Sequence, residues 1–122
     1  MEQLGIYLIN EKTDHMWRLS TNKINVIGRG LNKKDQEDGI IKLPHPSVSR
    51  EHANIYLESA AHQWYLINKS RNGCKVNDKF IEEKILLKHG DEIVVGRELL
   101  LFYENFRSDQ ATEEIPIQGM TS

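Results

Sequence analysis

Three short runs of this sequence gather side chains that can hold an anion. They are Gly28-Arg29, then Ser49-Arg50-Glu51-His52, then Asn68-Lys69-Ser70-Arg71-Asn72-Gly73. An arginine presents a planar fork of charge-assisted donors, and serine hydroxyls and asparagine amides add directional neutral ones. Such a set suits the holding of a doubly charged oxyanion better than the breaking of a bond. Ser49 and His52 stand in a Ser-x-x-His spacing, but nothing beside them signals an orienting carboxylate or an oxyanion hole. Walker sequences and paired-carboxylate motifs are absent. The histidines at 15, 45, 52, 62 and 89 lack ligand-like spacing, and the single thiol, Cys74, does not complete a zinc set. Catalysis, a metal and a cofactor are therefore not expected.

Each residue also has a plainer reading. Arg29 by itself is a solvated surface arginine, and Ser49, shortly after Pro46, is a turn or capping hydroxyl. Arg50 either supplies a second cation or faces solvent, and Arg71 either supplies a further donor or simply presents its backbone N–H. Asn72-Gly73 is a turn dipeptide of positive φ, a role compatible with ligand contact.

Elements with a period of two must position these runs. Residues 4–9, 24–27, 53–57, 64–67, 85–87, 93–95 and 99–103 are short apolar or alternating segments, mostly β-branched or aromatic. Gly28, Gly30, Gly39, Pro44, Pro46, Asn72-Gly73, Asn77-Asp78, Gly90 and Gly96 punctuate them. No stretch sustains the i, i+3, i+4 spacing of a helix, so the pattern predicts an antiparallel sandwich or barrel. Polar segments at 31–38, 44–50 and 69–73 interrupt the strands, and a sandwich gathers such connections at its ends.

Composition narrows the class further. A chain of 122 residues, 39% hydrophobic and 28% charged, can bury a core as one domain without disulfides. Its net charge of −2 and 7% aromatic content count against a nucleic-acid binder, which needs a basic groove and stacking platforms. No apolar run approaches the roughly 18 residues of a membrane span. A single cysteine and no visible secretory signal point to a reducing, most simply cytoplasmic setting, with the nucleus left open. The pattern fades after residue 104, which predicts a β domain over 1–104 and a flexible acidic C-terminal tail over 105–122. The tail holds one arginine against three acidic residues, so it carries the whole net charge and the domain is neutral.

The fragments Gly28-Arg29, Ser49-Arg50-Glu51-His52-Ala53, Asn68-Lys69-Ser70-Arg71-Asn72-Gly73, Val76-Asn77 and Leu87 to Gly96 occur in order. Together they resemble the forkhead-associated (FHA) domain over residues 4–103. The resemblance implies an all-β, eleven-stranded antiparallel β-sandwich whose loops at one end bind phosphothreonine in partner proteins. It implies a non-catalytic signalling or assembly adaptor that depends indirectly on a Ser/Thr kinase. On that resemblance Arg29 and Ser49 contact phosphate, Arg50 and Arg71 supply further donors, and Asn72 holds the ligand backbone. Gly28, His52, Asn68, Ser70 and Gly73 support the loops. Arg71 departs from the family's usual small hydroxyl residue, and Cys74 stands where a threonine is usual. The alternative is a phospho-independent scaffold or dimerisation domain that uses a sheet face. The tail sequence Thr112-Glu113-Glu114-Ile115 resembles FHA ligands, so phosphorylated Thr112 is a candidate for self-association, in cis or on a second copy.

Overall fold

The computed structural model describes residues 5–30 and 39–105; the acidic tail and its Thr112 lie outside them. Eleven strands form: β1 (Gly5–Asn10), β2 (His15–Arg18), β3 (Asn25–Gly28), β4 (Ile40–Lys42), β5 (Ala53–Glu58), β6 (Gln63–Asn68), β7 (Cys74–Val76), β8 (Lys79–Ile81), β9 (Lys84–Leu87), β10 (Glu92–Val95) and β11 (Glu98–Asn105). They build a six-stranded sheet, β2-β1-β11-β10-β7-β8, and a five-stranded sheet, β4-β3-β5-β6-β9. This is the eleven-stranded sandwich that the resemblance implies. Its pairing is antiparallel with one exception: β3 and β4 run parallel, Val26 opposite Ile40 and Gly28 opposite Lys42. The long 29–39 connection gives the chain the length that a parallel crossover needs.

Alternation along each strand sorts side chains between core and solvent. Leu8, Ile93, Val95, Leu100 and Phe102 of the larger sheet are fully buried against Ile27, Ala53, Ile55 and Leu66 of the smaller one. Trp64 and Phe102 meet edge to face, their centroids 6.1 Å apart. Their neighbours in register follow the same parity: Leu8 faces Phe102, and Ile93 sits between Val76 and Leu100. The outward row of the larger sheet keeps apolar residues too, with Phe80 and Leu99 about half exposed.

Tight turns close the end remote from the candidate residues. Asn77 and Asp78 both take positive φ (52° and 70°), the geometry that lets a two-residue hairpin follow strand twist. The Asn77 amide then donates to the Asp91 carboxylate at 2.8 Å, and Glu92 N–H donates to Asn77 Oδ1 at 3.0 Å. Gly90-Asp91 is thus scaffold, as its turn chemistry suggests. Truncating Phe102 to alanine removes a ring from both sheets' shared core. Urea unfolding of Phe102→Ala is expected to show a loss of about 3–5 kcal/mol; a loss under 1 kcal/mol would contradict this packing.

Candidate functional site

Four chain segments meet at the other end of the sandwich: the end of β3, the 43–52 loop, the 69–73 loop and the β10–β11 turn. Backbone hydrogen bonds tie the first two together. Leu43 N–H donates to the Gly28 carbonyl at 2.8 Å, and Arg29 N–H donates to the Ser49 carbonyl at 2.9 Å. The approach is so close that a Cβ on Gly28 would collide with the Arg50 carbonyl oxygen, which is why glycine precedes Arg29.

His52 joins these segments to the 69–73 loop. It is fully buried, and all four of its polar groups are paired. Its N–H donates to the Ile27 carbonyl at 2.7 Å, and its carbonyl accepts Lys69 N–H at 2.9 Å. Nδ1 accepts Ser49 N–H at 2.9 Å, so the ring proton is assigned to Nε2, which donates to the Gly73 carbonyl at 2.9 Å. The ring therefore holds Ser49 and Gly73 at a set separation. This is a structural role and leaves no ring nitrogen free for acid–base work.

Asn68 and Ser70 organise the 69–73 loop from within. Asn68 Oδ1 accepts Ser70 N–H at 3.1 Å, while its amide donates to the carbonyls of Ser70 and Glu82 at 2.7 and 3.0 Å. Ser70 Oγ accepts Asn72 N–H at 2.9 Å and the Ser49 hydroxyl at 3.2 Å. Gly73 takes φ +74°, turning the chain into β7. Ser49 is half-buried with a rotatable hydroxyl, whereas Arg29, Arg50, Arg71 and Asn72 on the same braced segments are exposed. Among the described residues, no side-chain partner engages the guanidinium groups of Arg29, Arg50 or Arg71. The ten residues singled out in the sequence thus fall on three mutually braced segments of one end. The chemistry available there is a hydroxyl, an exposed carboxamide and three uncommitted cations. Among the same described residues, no cluster of His, Cys, Asp or Glu side chains suits a metal ion.

Sequence reasoning passed over Ser47 and His45. Ser47 Oγ accepts Arg97 N–H at 2.8 Å and lies 2.7 Å from His45 Nδ1, joining the 43–52 loop to the β10–β11 turn. The contact spans 50 positions of sequence, and no local pattern marks it.

The family model for the FHA domain matches residues 25–96, more than half of the chain. The chain belongs to the FHA family. An FHA domain from a structural and functional analysis of phosphothreonine-dependent interactions superposes with a TM-score of 0.68 at 25% identity, covering 83% of this chain and 97% of that one. The FhaA FHA domain, complexed with the intracellular domain of another protein, gives 0.65 at 26% identity over 80% and 98%. Angiogenic factor with G patch and FHA domains 1 of Homo sapiens is 34% identical over 90 residues, 68% of this chain. Its Mus musculus counterpart is 33% identical over 84 residues, 63% of this chain. The chain spans 12% and 11% of the length of these two curated relatives.

Cys74 lies beneath the loop, its thiol donating to Asn68 Oδ1 at 3.5 Å. Burial pushes this thiol up to about 11. A threonine hydroxyl there would make a shorter, stronger bond to the same acceptor. At pH 8 a group titrating near 11 is only about 0.1% thiolate, and that fraction rises about tenfold per pH unit. Iodoacetamide is therefore expected to modify the folded protein slowly at pH 8, faster in step with pH, and promptly once urea unfolds it. Equal rates for folded and unfolded chains at pH 8 would contradict the burial.

Proposed function

We propose that this chain is a non-catalytic phosphothreonine-binding module, acting as an intracellular adaptor for proteins phosphorylated by a Ser/Thr kinase. The observation that carries this reading is that Arg29, Arg50 and Arg71, exposed on the segments braced to Ser49, have no side-chain partner among the described residues. A phosphate ester near −2 charge takes charge-assisted donors in preference to neutral ones. Arg29 and Ser49 hold the phosphate in this reading, Arg50 and Arg71 add donors, and Asn72 binds the ligand backbone. Ser49 Oγ–H needs only to rotate away from Ser70 to donate to a phosphate oxygen. The likeness to an FHA domain of phosphothreonine-dependent interactions supports the same assignment.

Hydrogen bonds to charged groups contribute about 1.5–3 kcal/mol each, or roughly 10- to 150-fold in affinity. Calorimetric titration with a phosphothreonine peptide should show losses of that order for Arg29→Ala and for Ser49→Ala, and no binding of the dephosphorylated peptide. Partner capture that survives Arg29→Ala would instead favour the outward face of the six-stranded sheet, where Phe80 and Leu99 are exposed.

Phosphorylated Thr112 is proposed as one ligand, and strand geometry favours binding to a second copy. The chain leaves β11 at Asn105, while the loops lie beyond Glu98 at the opposite end of that strand. The strand is about 23 Å long, and the seven residues from Asn105 to Thr112 reach at most about 25 Å. Nothing is left over for the further path to Ser49. Binding in trans then links copies into closed or open assemblies. Sedimentation of the Thr112-phosphorylated protein should show concentration-dependent oligomers that vanish with Arg29→Ala. A monomer at all concentrations would refute self-association.

A further inference from the structure

The outward side of the six-stranded sheet carries an apolar stripe along β1 and β11. It alternates with the buried row of Leu8, Leu100 and Phe102: register sets Tyr7 beside Tyr103, and Ile9 between Met16 and Leu101. Leu99 continues the stripe along β11, with Val94 opposite it. Met16 is 56% exposed, Leu99 51% and Tyr103 37%, while Tyr7, Ile9, Leu101 and Val94 are half-buried. Together they leave roughly 500 Å² of apolar surface in water, near the upper end of what a monomer displays.

The two flanks of the stripe differ in sign. Arg18 stands on β2, opposite Tyr7, and Glu92 on β10, opposite Leu101; both are exposed. In the order β2-β1-β11-β10, three strand spacings of about 4.8 Å hold them about 14 Å apart. Exposed charges at that separation are largely screened in physiological salt. Within one chain the two do not pair.

A face with a cation on one flank and an anion on the other is complementary to itself. Turn a second copy by half a revolution about an axis parallel to β1 and β11, and its stripe lies on this one. Strand β10 of each copy then covers β2 of the other, which brings Glu92 to Arg18 twice. A partner of one charge sign would meet repulsion on one flank. We propose that this face joins two copies of the chain in an isologous dimer, packed sheet on sheet through Tyr7, Ile9, Met16, Leu99, Leu101 and Tyr103. Two copies bury roughly 1,000 Å², the lower end for a specific interface, so the dimer is a reversible one. The contact needs no phosphate and stands apart from the phosphothreonine reading. Because the axis runs along the strands, both loop ends point the same way, as a doubly phosphorylated partner would require for bivalent capture.

Sedimentation equilibrium of the unphosphorylated full chain tests this, and it should show a monomer–dimer equilibrium. With Thr112 phosphorylated, the oligomers beyond that dimer are the ones that Arg29→Ala removes. Met16→Lys changes an exposed side chain on an edge strand, and placing its unpaired charge in the contact should weaken the dimer about tenfold or more. Arg18→Glu and Glu92→Arg should each weaken it about five- to thirtyfold, the scale of two interfacial ion pairs. The double variant Arg18→Glu/Glu92→Arg should return to within about threefold of wild type, since the swapped charges meet again only across the two copies. Melting followed by circular dichroism confirms that each variant is folded. A wild-type chain that stays monomeric at every concentration overturns the dimer. A dimer that the double variant weakens as much as the two single variants combined overturns this packing. Loss of phosphopeptide binding with the dimer intact overturns the phosphothreonine reading alone.

Discussion

One imidazole, buried between two loops, sets the geometry on which the candidate site depends. His52 accepts from Ser49 and donates to Gly73, while its own backbone bonds to Ile27 and Lys69. Loops that carry exposed arginines would otherwise be free to spread their charges apart. With the ring in place, the Ser49 hydroxyl and the Asn72 segment keep a set separation before any ligand arrives, which lowers the ordering cost of binding. The glycine at 28 performs a matching service on the other flank, letting the Arg50 backbone approach the β3 end closely enough for Arg29 N–H to reach Ser49. Neither residue is placed to touch a ligand through its side chain. Both decide where Arg29, Ser49 and Asn72 are held.

Charge works on the same local scale. The domain sums to zero, yet three guanidiniums at one end have no counter-ion among the described residues. Across a Debye length of about 8 Å in physiological salt, a ligand feels those cations and little of the acidic residues on the remote turns. A neutral total is therefore compatible with a strongly cationic end. It also leaves the rest of the surface without a field that would attract unrelated polyanions.

The legible and illegible parts of the sequence divide along physical lines. The longer core strands were visible because alternation needs several residues to register, as in Ala53–Glu58 and Gln63–Asn68. Strands β4, β7 and β8 are three residues each, too short for a period of two to show, and β2 (His15–Arg18) reads as polar because it lies at an edge. The parallel β3–β4 pair was not legible either, since register across a long connection leaves no local mark. Within the candidate site, the residues that sit in compact motifs stand out through their resemblance to the FHA pattern. The Ser47–His45–Arg97 tie could not, because its chemistry is assembled from distant turns. Cys74 was readable as a departure but not as a buried donor to Asn68.

The pairing of β1 with β11 has a consequence for how the molecule is made. Gly5 lies opposite Asn105, so the middle of the six-stranded sheet joins the first strand described to the last. During synthesis β1 can pair with β2 within moments of emerging, but its other edge stays open until nearly all of the domain has left the ribosome. Contacts of such long sequence separation are slow to form, and open edges invite mispairing meanwhile. In the five-stranded sheet the consecutive strands β5 and β6 form a local hairpin that needs no late partner. Completion of the fold, and with it the loop end, is then governed by the arrival of one late strand.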